Sequence, residues 1–511
     1  MAKSASSKPA DRQIAPSRTR VLYVTSEVAP LIKTGGLADV SCALPAALRE
    51  AGVDVRVLVP GYDSVLTRLR YKRRLAAIVL PHFPPATLLS AKLPSDIPLL
   101  LIACPPLFQR SGGPYQDEQG ADWPDNALRF GFLSRVAALL AGEDSPLSWQ
   151  PDIVHGNDWQ CGLIPAYLRF TAASDSSPAV TAPRMLFTIH NLAFQGIFPP
   201  STVPELGLPA ASFAVDGLEF HGKLSFLKAG LFYADGITTV SPTYAAEIQT
   251  EALGFGMQGL LKSRAGALSG ILNGIDDETW DPARDTLIAR RYTMQTVEDK
   301  AANKLALQNR LGLAADVDIP LFGMVSRITH QKGFDLLLEI AAALAATPAQ
   351  IAILGTGDAD LQESLGDLAR LHPGRIAVSH EFDEALAHLI EAGADMFLMP
   401  SRFEPSGLNQ MYSQRYGTPP VVRATGGLAD SVVDYDGAKA SDRDNPAGLS
   451  TGFVFVDATA AAFLAAVMRA IAAWRDKPLW RDIQRNGMAR DFSWKAAARE
   501  YVDVYRALIG H

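Results

Sequence analysis

Cysteine is scarce. Three thiols occur in 511 residues, Cys42, Cys104 and Cys161, far apart and with no Cys-x-x-Cys pair. That spacing excludes a zinc knuckle and a disulfide framework, and it predicts three buried thiols in a reducing compartment. Basic excess is missing as well. Lys and Arg number 47 against 54 Asp and Glu, a net charge of −7, so no nucleic-acid partner is expected. No apolar run approaches the ~18 residues of a membrane span. No Gly-x-x-x-x-Gly-Lys-[Ser/Thr] occurs, which excludes a P-loop nucleotidase. The opening segment, MAKSASSKPADRQIAPSR, has no apolar stretch of the secretory kind and is expected to be a disordered tail. Together these absences predict a cytoplasmic protein with no membrane partner.

What is present is apolar material in alternation. Hydrophobic residues make up 48% and charged residues 20%, ample for a large core. At roughly 100–200 residues per domain, the length asks for two or three domains. Short apolar runs, Val21–Ser26, Val53–Pro60, Pro98–Pro105, Asp152–Asp158 and Arg184–Asn191, alternate with Ala/Leu-rich stretches such as Asn126–Gly142. Such runs belong to parallel sheets covered on both faces, and the alternation makes βαβ units. The pattern restarts past residue 270 with Ile319–Arg327, Gln350–Gly357, Ile376–Phe382, Ala394–Ser401 and Pro419–Gly427. The expected fold is α/β: two Rossmann-like, doubly wound domains with a ligand cleft between them. Residues 1–18 form the tail, 19–265 the first domain and 266–492 the second, joined near Ala265–Asn273. Residues 493–511 form a helix able to pack on either domain.

One hexapeptide occurs twice, as Thr34-Gly35-Gly36-Leu37-Ala38-Asp39 and as Thr425-Gly426-Gly427-Leu428-Ala429-Asp430. Each copy follows a strand-like run and precedes a helical pattern. Paired glycines there either let backbone N–H groups approach a ligand or satisfy a tight helix entry. Gly254-Phe255-Gly256-Met257-Gln258-Gly259 matches a dinucleotide fingerprint, but it follows a helical segment and is set aside. Gly355-Thr356-Gly357 lacks the third glycine. Asp-x-Asp triplets at 316–318, 358–360, 434–436 and 442–444 lie in polar loops and read as solvated surface rather than metal ligands.

Arg327 and Lys332 follow the first strand of the second half, at the end where open α/β sheets bind ligands. A guanidinium fork and an ammonium suit a diphosphate. Ser401–Gln410 follows another strand. Ser406 or Gly407 is expected to open a helix whose N–H groups face an anion. Glu404 either caps that helix or accepts hydrogen bonds from sugar hydroxyls. In the first half, two successive strand ends carry Asp158, His190 and Asn191 to the crevice.

These segments resemble bacterial glycogen synthases and plant starch synthases, retaining glucosyltransferases of the two-domain GT-B fold. The resemblance runs, in the family's order, through Lys33–Val40, Asn157–Trp159, His190–Gly196, Val240–Tyr244, Leu272–Asp276, Ser326–Arg327 with Gln331–Gly333, Glu404–Leu408 and Thr425–Asp430. It implies ADP-glucose as donor, the non-reducing end of an α-1,4-glucan such as glycogen as acceptor, and no metal or other cofactor. It implies that Lys33, Thr34, Gly35 and Gly36 approach the donor from the first domain, with Asn191 and Asn273 also at the substrate. Arg327 and Lys332 grip the diphosphate, and Gly407, Leu408, Thr425 and Gly426 join the donor site. Glu404 orients the glucosyl unit, His190 lies beside it, and Asp158 serves the acceptor side. The expected catalytic residues are thus His190, Glu404, Asp158, Arg327 and Lys332. Ser406 replaces a cysteine of many bacterial members and Asn409 a threonine, and neither change removes a charge.

Departure of ADP builds negative charge on the diphosphate, which Arg327 and Lys332 would offset without a metal. One strand-end carboxylate per half, with no evident pair, favours a front-face (SNi-like) displacement over a double displacement. Closure of the cleft would exclude water. Three alternatives stay open: a transferase using UDP-glucose or a small acceptor, an NAD-linked oxidoreductase, and a non-catalytic sugar-nucleotide or glucan binder.

Overall fold

The computed structural model describes residues 18–94, 96–171, 182–381, 383–437 and 449–510. The tail, apart from Arg18, and the triplet at 442–444 lie outside the described residues. The first half holds strands β1 (Arg20–Val24), β2 (Asp54–Pro60), β3 (Arg73–Ile78), β4 (Ala86–Lys92), β5 (Pro98–Ala103), β6 (Ile153–Asn157), β7 (Arg184–Ile189), β8 (Ile197–Phe198), β9 (Glu219–Phe220), β10 (Lys223–Ser225), β11 (Gly236–Thr239) and β12 (Leu268–Gly270). The second half holds β13 (Leu321–Val325), β14 (Gln350–Leu354), β15 (Ile376–Ser379), β16 (Met396–Met399), β17 (Pro420–Arg423) and β18 (Phe453–Phe455). Every apolar run named above contains a strand.

The first sheet runs β12-β11-β7-β6-β1-β2-β5-β4-β3 and is parallel except at its β5-β4-β3 edge. Its ninth strand, β12, falls inside the expected junction. The second sheet, β15-β14-β13-β16-β17-β18, is parallel throughout. A small antiparallel sheet, β8-β10-β9, stands apart.

The second sheet shows why its strands read as unbroken apolar runs. Phe322, Met324, Ile351, Ile353, Met396, Leu398 and Val421 enter the core on one face. Their neighbours Leu321, Ala352, Leu354, Phe397, Met399 and Val422 enter the core on the other. Side chains alternate with period two, and helices cover both faces, so nearly every position is apolar. The buried exception, Gln350 at the start of β14, accepts from Gln308 Nε2 and donates to Ala314 C=O, each at 2.7 Å.

The final helix, Trp494–Ile509, packs on the first domain. Trp494, Ala497, Ala498, Tyr501 and Tyr505 join the core that contains β1 and β6, and the Tyr505 hydroxyl lies 2.8 Å from His155 Nδ1. The chain therefore crosses between domains twice. The crossings run side by side, with Ile275 N–H donating to Phe492 C=O at 2.8 Å. Of the three free cysteines, Cys104 and Cys161 are buried as expected, but Cys42 is only half-buried because it lies toward the edge of the Gly36–Glu50 helix's packed face.

Candidate active site

Both sheets reverse their strand order once, the first between β1 and β6, the second between β13 and β16. Helices leave a reversal on opposite faces, so a crevice opens at the carboxyl ends of those strands. The expected site residues follow these strands: Lys33 after β1, Asp158 after β6, Arg327 and Lys332 after β13, and Glu404 after β16.

On the second-domain wall, Lys332 Nζ lies 2.5 Å from Glu404 Oε2, and both side chains are largely buried. Ser401 Oγ donates to the same oxygen at 3.1 Å. Arg327 is exposed and has no partner among the described residues. Lys332 ends a short 3-10 turn closed by Gly333, where a Cβ would stand 2.1 Å from Pro400 C=O.

The expected helix start is corrected. The helix runs Asn409–Arg415 with Leu408 at its N-cap, not from Ser406 or Gly407. Gly407 takes a left-handed φ of 66° that carries the chain into the helix, and Asn409 Nδ2 ties the first turn to Val325 C=O at 2.6 Å. Glu404 therefore does not cap it. The N–H groups of Gly407 and Leu408 have no acceptor among the described residues.

On the first-domain wall, Asp158 is buried in an unusual backbone conformation with φ 60°. Burial pushes its carboxyl up to about 7, against the pull of N–H groups from Trp159, His190 and Asn191. Its Oδ1 has no hydrogen-bond partner among the described residues. Burial lowers His190 to about 3, so its imidazole is neutral at pH 7. The tautomer follows from Asn157. Its Nδ2 donates to Val24 C=O and His155 C=O, which leaves Oδ1 as the acceptor 3.1 Å from His190 Nε2. The proton therefore sits on Nε2, and Nδ1 is left as an acceptor.

The loop after β1 is organised by Glu27, a buried carboxylate that sequence reasoning missed. It accepts from Thr34 N–H at 2.5 Å, from Thr34 Oγ1 at 2.6 Å and from the Tyr115 hydroxyl. Thr34 is thereby committed to the protein. Lys33 is paired with Asp39 at 2.8 Å and is half exposed, while the Cα positions of Gly35 and Gly36 face open space. Asn191 Oδ1 accepts from Ala193 N–H at 3.1 Å. Asn273 is buried, and its Oδ1 has no hydrogen-bond partner among the described residues.

The walls meet at the Pro242–Glu247 helix of the first domain. Its Tyr244 hydroxyl, which accepts from Leu192 N–H at 3.0 Å, feels the charges of both Asp158 and Glu404. Ser241 Oγ donates to Pro405 C=O at 2.6 Å. Asp430 accepts from Thr243 N–H and Oγ1 at 2.8 and 2.6 Å. Glu247 accepts from Thr425 Oγ1 at 2.8 Å and Gly426 N–H at 3.1 Å. Thr425 and Gly426, expected at the donor, are thus engaged by an interdomain carboxylate. Asp434, from one Asp-x-Asp triplet, ties Val454 N–H and Arg469.

The model described as "Starch synthase catalytic domain" matches residues 20–263, and "Glycosyl transferases group 1" matches residues 309–488. A glycogen synthase of Nitrosospira multiformis is 55% identical over 494 residues, covering 96% of this chain and 97% of that protein. One from Nitrosomonas europaea is 56% identical over 502 residues, covering 97% and 99%. The chain belongs to the glycogen synthase family. The catalytic domain of Arabidopsis thaliana starch synthase IV, solved bound to ADP and acarbose, superposes with a TM-score of 0.85 at 30% identity, covering 97% of this chain and 100% of that one. The fold is GT-B, and the protein is a glycosyltransferase. Membership of this family removes the oxidoreductase and the non-catalytic binder. Among the described residues no helix is long and apolar enough to cross a membrane.

Proposed function

We propose that this glycogen synthase transfers glucose from ADP-glucose to the non-reducing 4-hydroxyl of an α-1,4-glucan, with retention, without a metal, in the cytoplasm. The observation that carries the reading is the Lys332–Glu404 pair at the second sheet's reversal. It sets a cation beside a carboxylate that can accept from sugar hydroxyls, next to unpaired Arg327 and the unoccupied amides of Gly407 and Leu408. The starch synthase that holds ADP and acarbose together supports an ADP-linked donor and a saccharide acceptor.

In this reading Arg327, Lys332 and the amides meet the negative charge that grows on the diphosphate. The bond from the anomeric carbon to the phosphate oxygen breaks as the bond to the glucan 4-oxygen forms on the same face. The acceptor's proton passes to the departing phosphate. His190 Nδ1 accepts from a glucose hydroxyl, and Asp158, poised near neutrality, orients the acceptor hydroxyl.

Arg327→Ala or Lys332→Ala should lower turnover at least 10²-fold, about 2.7 kcal/mol of transition-state stabilisation. Near-normal kcat in both would remove the diphosphate assignment. Glucosyl incorporation into glycogen from ADP-glucose and UDP-glucose, each with and without EDTA, tests donor and metal together. EDTA-resistant transfer favouring ADP-glucose is expected. Preference for UDP-glucose would overturn the donor, and loss with EDTA the metal-free chemistry.

A further inference from the structure

A net charge of −7 makes one segment stand out. Residues 68–74 read Arg-Leu-Arg-Tyr-Lys-Arg-Arg, five cations in seven positions, with Tyr71 89% exposed. The segment lines an open cavity of about 1030 Å³ on the β2-β5-β4-β3 side of the first sheet. Arg56, Arg68, Arg70, Lys72, Arg73 and Lys92 surround it over an apolar floor at Pro98–Leu100.

Several of these cations are already engaged. Lys72 Nζ caps the carbonyls of Leu66 and Leu69, Lys92 pairs with Asp96, and Arg56 stacks 4.2 Å over the Trp149 ring. Arg70 and Arg73 have no partner among the described residues. Asp54 is the acid of the lining, and its carboxylate is taken by Trp149 Nε1–H at 2.7 Å. Arginine on an edge strand commonly blocks sheet-to-sheet pairing, which accounts for Arg74. It does not account for Arg73, which lines the cavity.

Arg68 makes the connection to the cleft. Its Nη1 donates to the carbonyls of Pro30 and Leu31 at 2.8 and 3.1 Å. Those residues lead directly into Lys33, Thr34, Gly35 and Gly36. One guanidinium thus touches both the cationic cavity and the chain entering the cleft wall.

We propose that this cavity is a second ligand site, for a compact phosphorylated small molecule, and that Arg68 couples its occupancy to the Lys33–Gly36 wall of the cleft. Guanidinium groups recognise phosphate through paired N–H donors. The cavity's volume is in the range of small-molecule sites. Concavity and the chain's negative charge disfavour a duplex or an anionic membrane, both extended polyanions. An anion drawing Arg68 toward itself loosens the carbonyls it holds.

The test is calorimetric titration of the full chain with inorganic pyrophosphate, alongside donor kinetics using whichever nucleotide sugar the enzyme accepts. Binding should weaken at least tenfold in Arg70→Ala/Arg73→Ala, whose basal activity stays unchanged, and persist in Arg327→Ala. Saturating pyrophosphate should shift the donor KM at least twofold in Arg327-intact enzyme. Arg68→Ala should still bind but lose that shift. Binding that survives Arg70→Ala/Arg73→Ala, or that disappears in Arg327→Ala, would place the anion in the cleft and overturn the site. Binding of a 20-base-pair duplex or phosphatidylserine vesicles through Arg70 and Arg73, with none of pyrophosphate, would overturn the small-molecule assignment. Binding without the KM shift would overturn the coupling.

Discussion

The two copies of Thr-Gly-Gly-Leu-Ala-Asp have the same sequence and different reasons for it. In the first copy, Gly35 and Gly36 have nothing among the described residues within 4 Å of where a Cβ would stand. In the second, a Cβ on Gly426 would lie 2.0 Å from Glu404 C=O, and one on Gly427 2.0 Å from Ser406 C=O. Each threonine is held by a buried or half-buried glutamate. Glu27 holds Thr34 from within its own domain, whereas Glu247 reaches Thr425 across the cleft. The aspartates differ likewise: Asp39 pairs with Lys33 six positions away, and Asp430 receives Thr243 of the other domain. The two readings of paired glycines divide between the copies. Room for a ligand fits the first, and close backbone packing fits the second. A repeated motif therefore does not establish a repeated role.

The largest effect should come from Gly427→Ala. A methyl 2.0 Å from the Ser406 carbonyl forces the 404–406 turn away, at a cost of about 1–3 kcal/mol or more. The same displacement moves Glu404 from Lys332, so kcat should fall at least 10²-fold, about 2.7 kcal/mol. Denaturant midpoints and turnover check both parts. Gly35→Ala is the matching experiment on the first copy. Its stability should stay within about 0.5 kcal/mol of the parent, while the donor KM rises several-fold. A Gly35→Ala protein with parental KM would deny the first copy any ligand role.

Next in size is Glu27→Ala. The buried carboxylate serves the Thr34 amide, the Thr34 hydroxyl and the Tyr115 hydroxyl. Orphaned buried donors cost about 1–3 kcal/mol each where water cannot reach them. The expected stability loss exceeds that of Glu247→Ala, because Glu27 is itself buried and serves three donors whereas half-buried Glu247 serves two. Equal losses would make the two glutamates equivalent despite their settings.

Smaller still is an effect on pH dependence. Asp158 is raised chiefly by burial, with a minor contribution from the nearby Glu27 charge; Glu247 is not among its causes. Its folded value, about 7, lies above the ordinary ~3.9. The sign follows from linkage: the stability this group contributes is fully present below about pH 4 and is lost as pH rises through about 7. Melting temperature should decline across that window, and Asp158→Asn should flatten the decline. Glu27→Gln should move the upper midpoint to lower pH, and Glu247→Gln should leave it in place.

Much of this was readable in the sequence, and the remainder has a common physical cause. Strands buried on both faces are apolar at nearly every position, so β13, β14, β16 and β17 stood out. The β3–β4 hairpin did not, because an edge strand keeps exposed residues such as Arg73 and Arg74. The stripe Trp494, Ala497, Ala498, Tyr501 and Tyr505 announced a packed helix but could not name the domain that receives it. Strand-end position singled out Asp158, His190, Arg327 and Glu404 as candidates, and the structure places them at the ends of β6, β7, β13 and β16. It could also have revealed Glu27, three residues past β1. Glu247 was illegible, since its partner lies 178 residues away in sequence. Ser406 imitated an N-cap, yet the turn is set by carbonyls packed against Gly426 and Gly427.

The smallest expected effect separates charge from geometry at the second copy. Glu247 offers one oxygen to the Thr425 hydroxyl and the other to the Gly426 amide. A hydroxyl can accept as well as donate, whereas a backbone N–H can only donate. Glu247→Gln can therefore turn its oxygen to Gly426 and its NH₂ to Thr425 Oγ1, preserving both bonds. Its stability should change by less than about 1 kcal/mol, whereas Glu247→Ala loses both bonds and should cost more. Small-angle scattering should show parental dimensions for the Gln variant and a more open molecule for the Ala variant. If Gln opens the cleft as far as Ala does, the negative charge itself joins the domains. The second copy would then be an anion-holding turn already filled by the protein, and closer in kind to the first than its crowded glycines suggest.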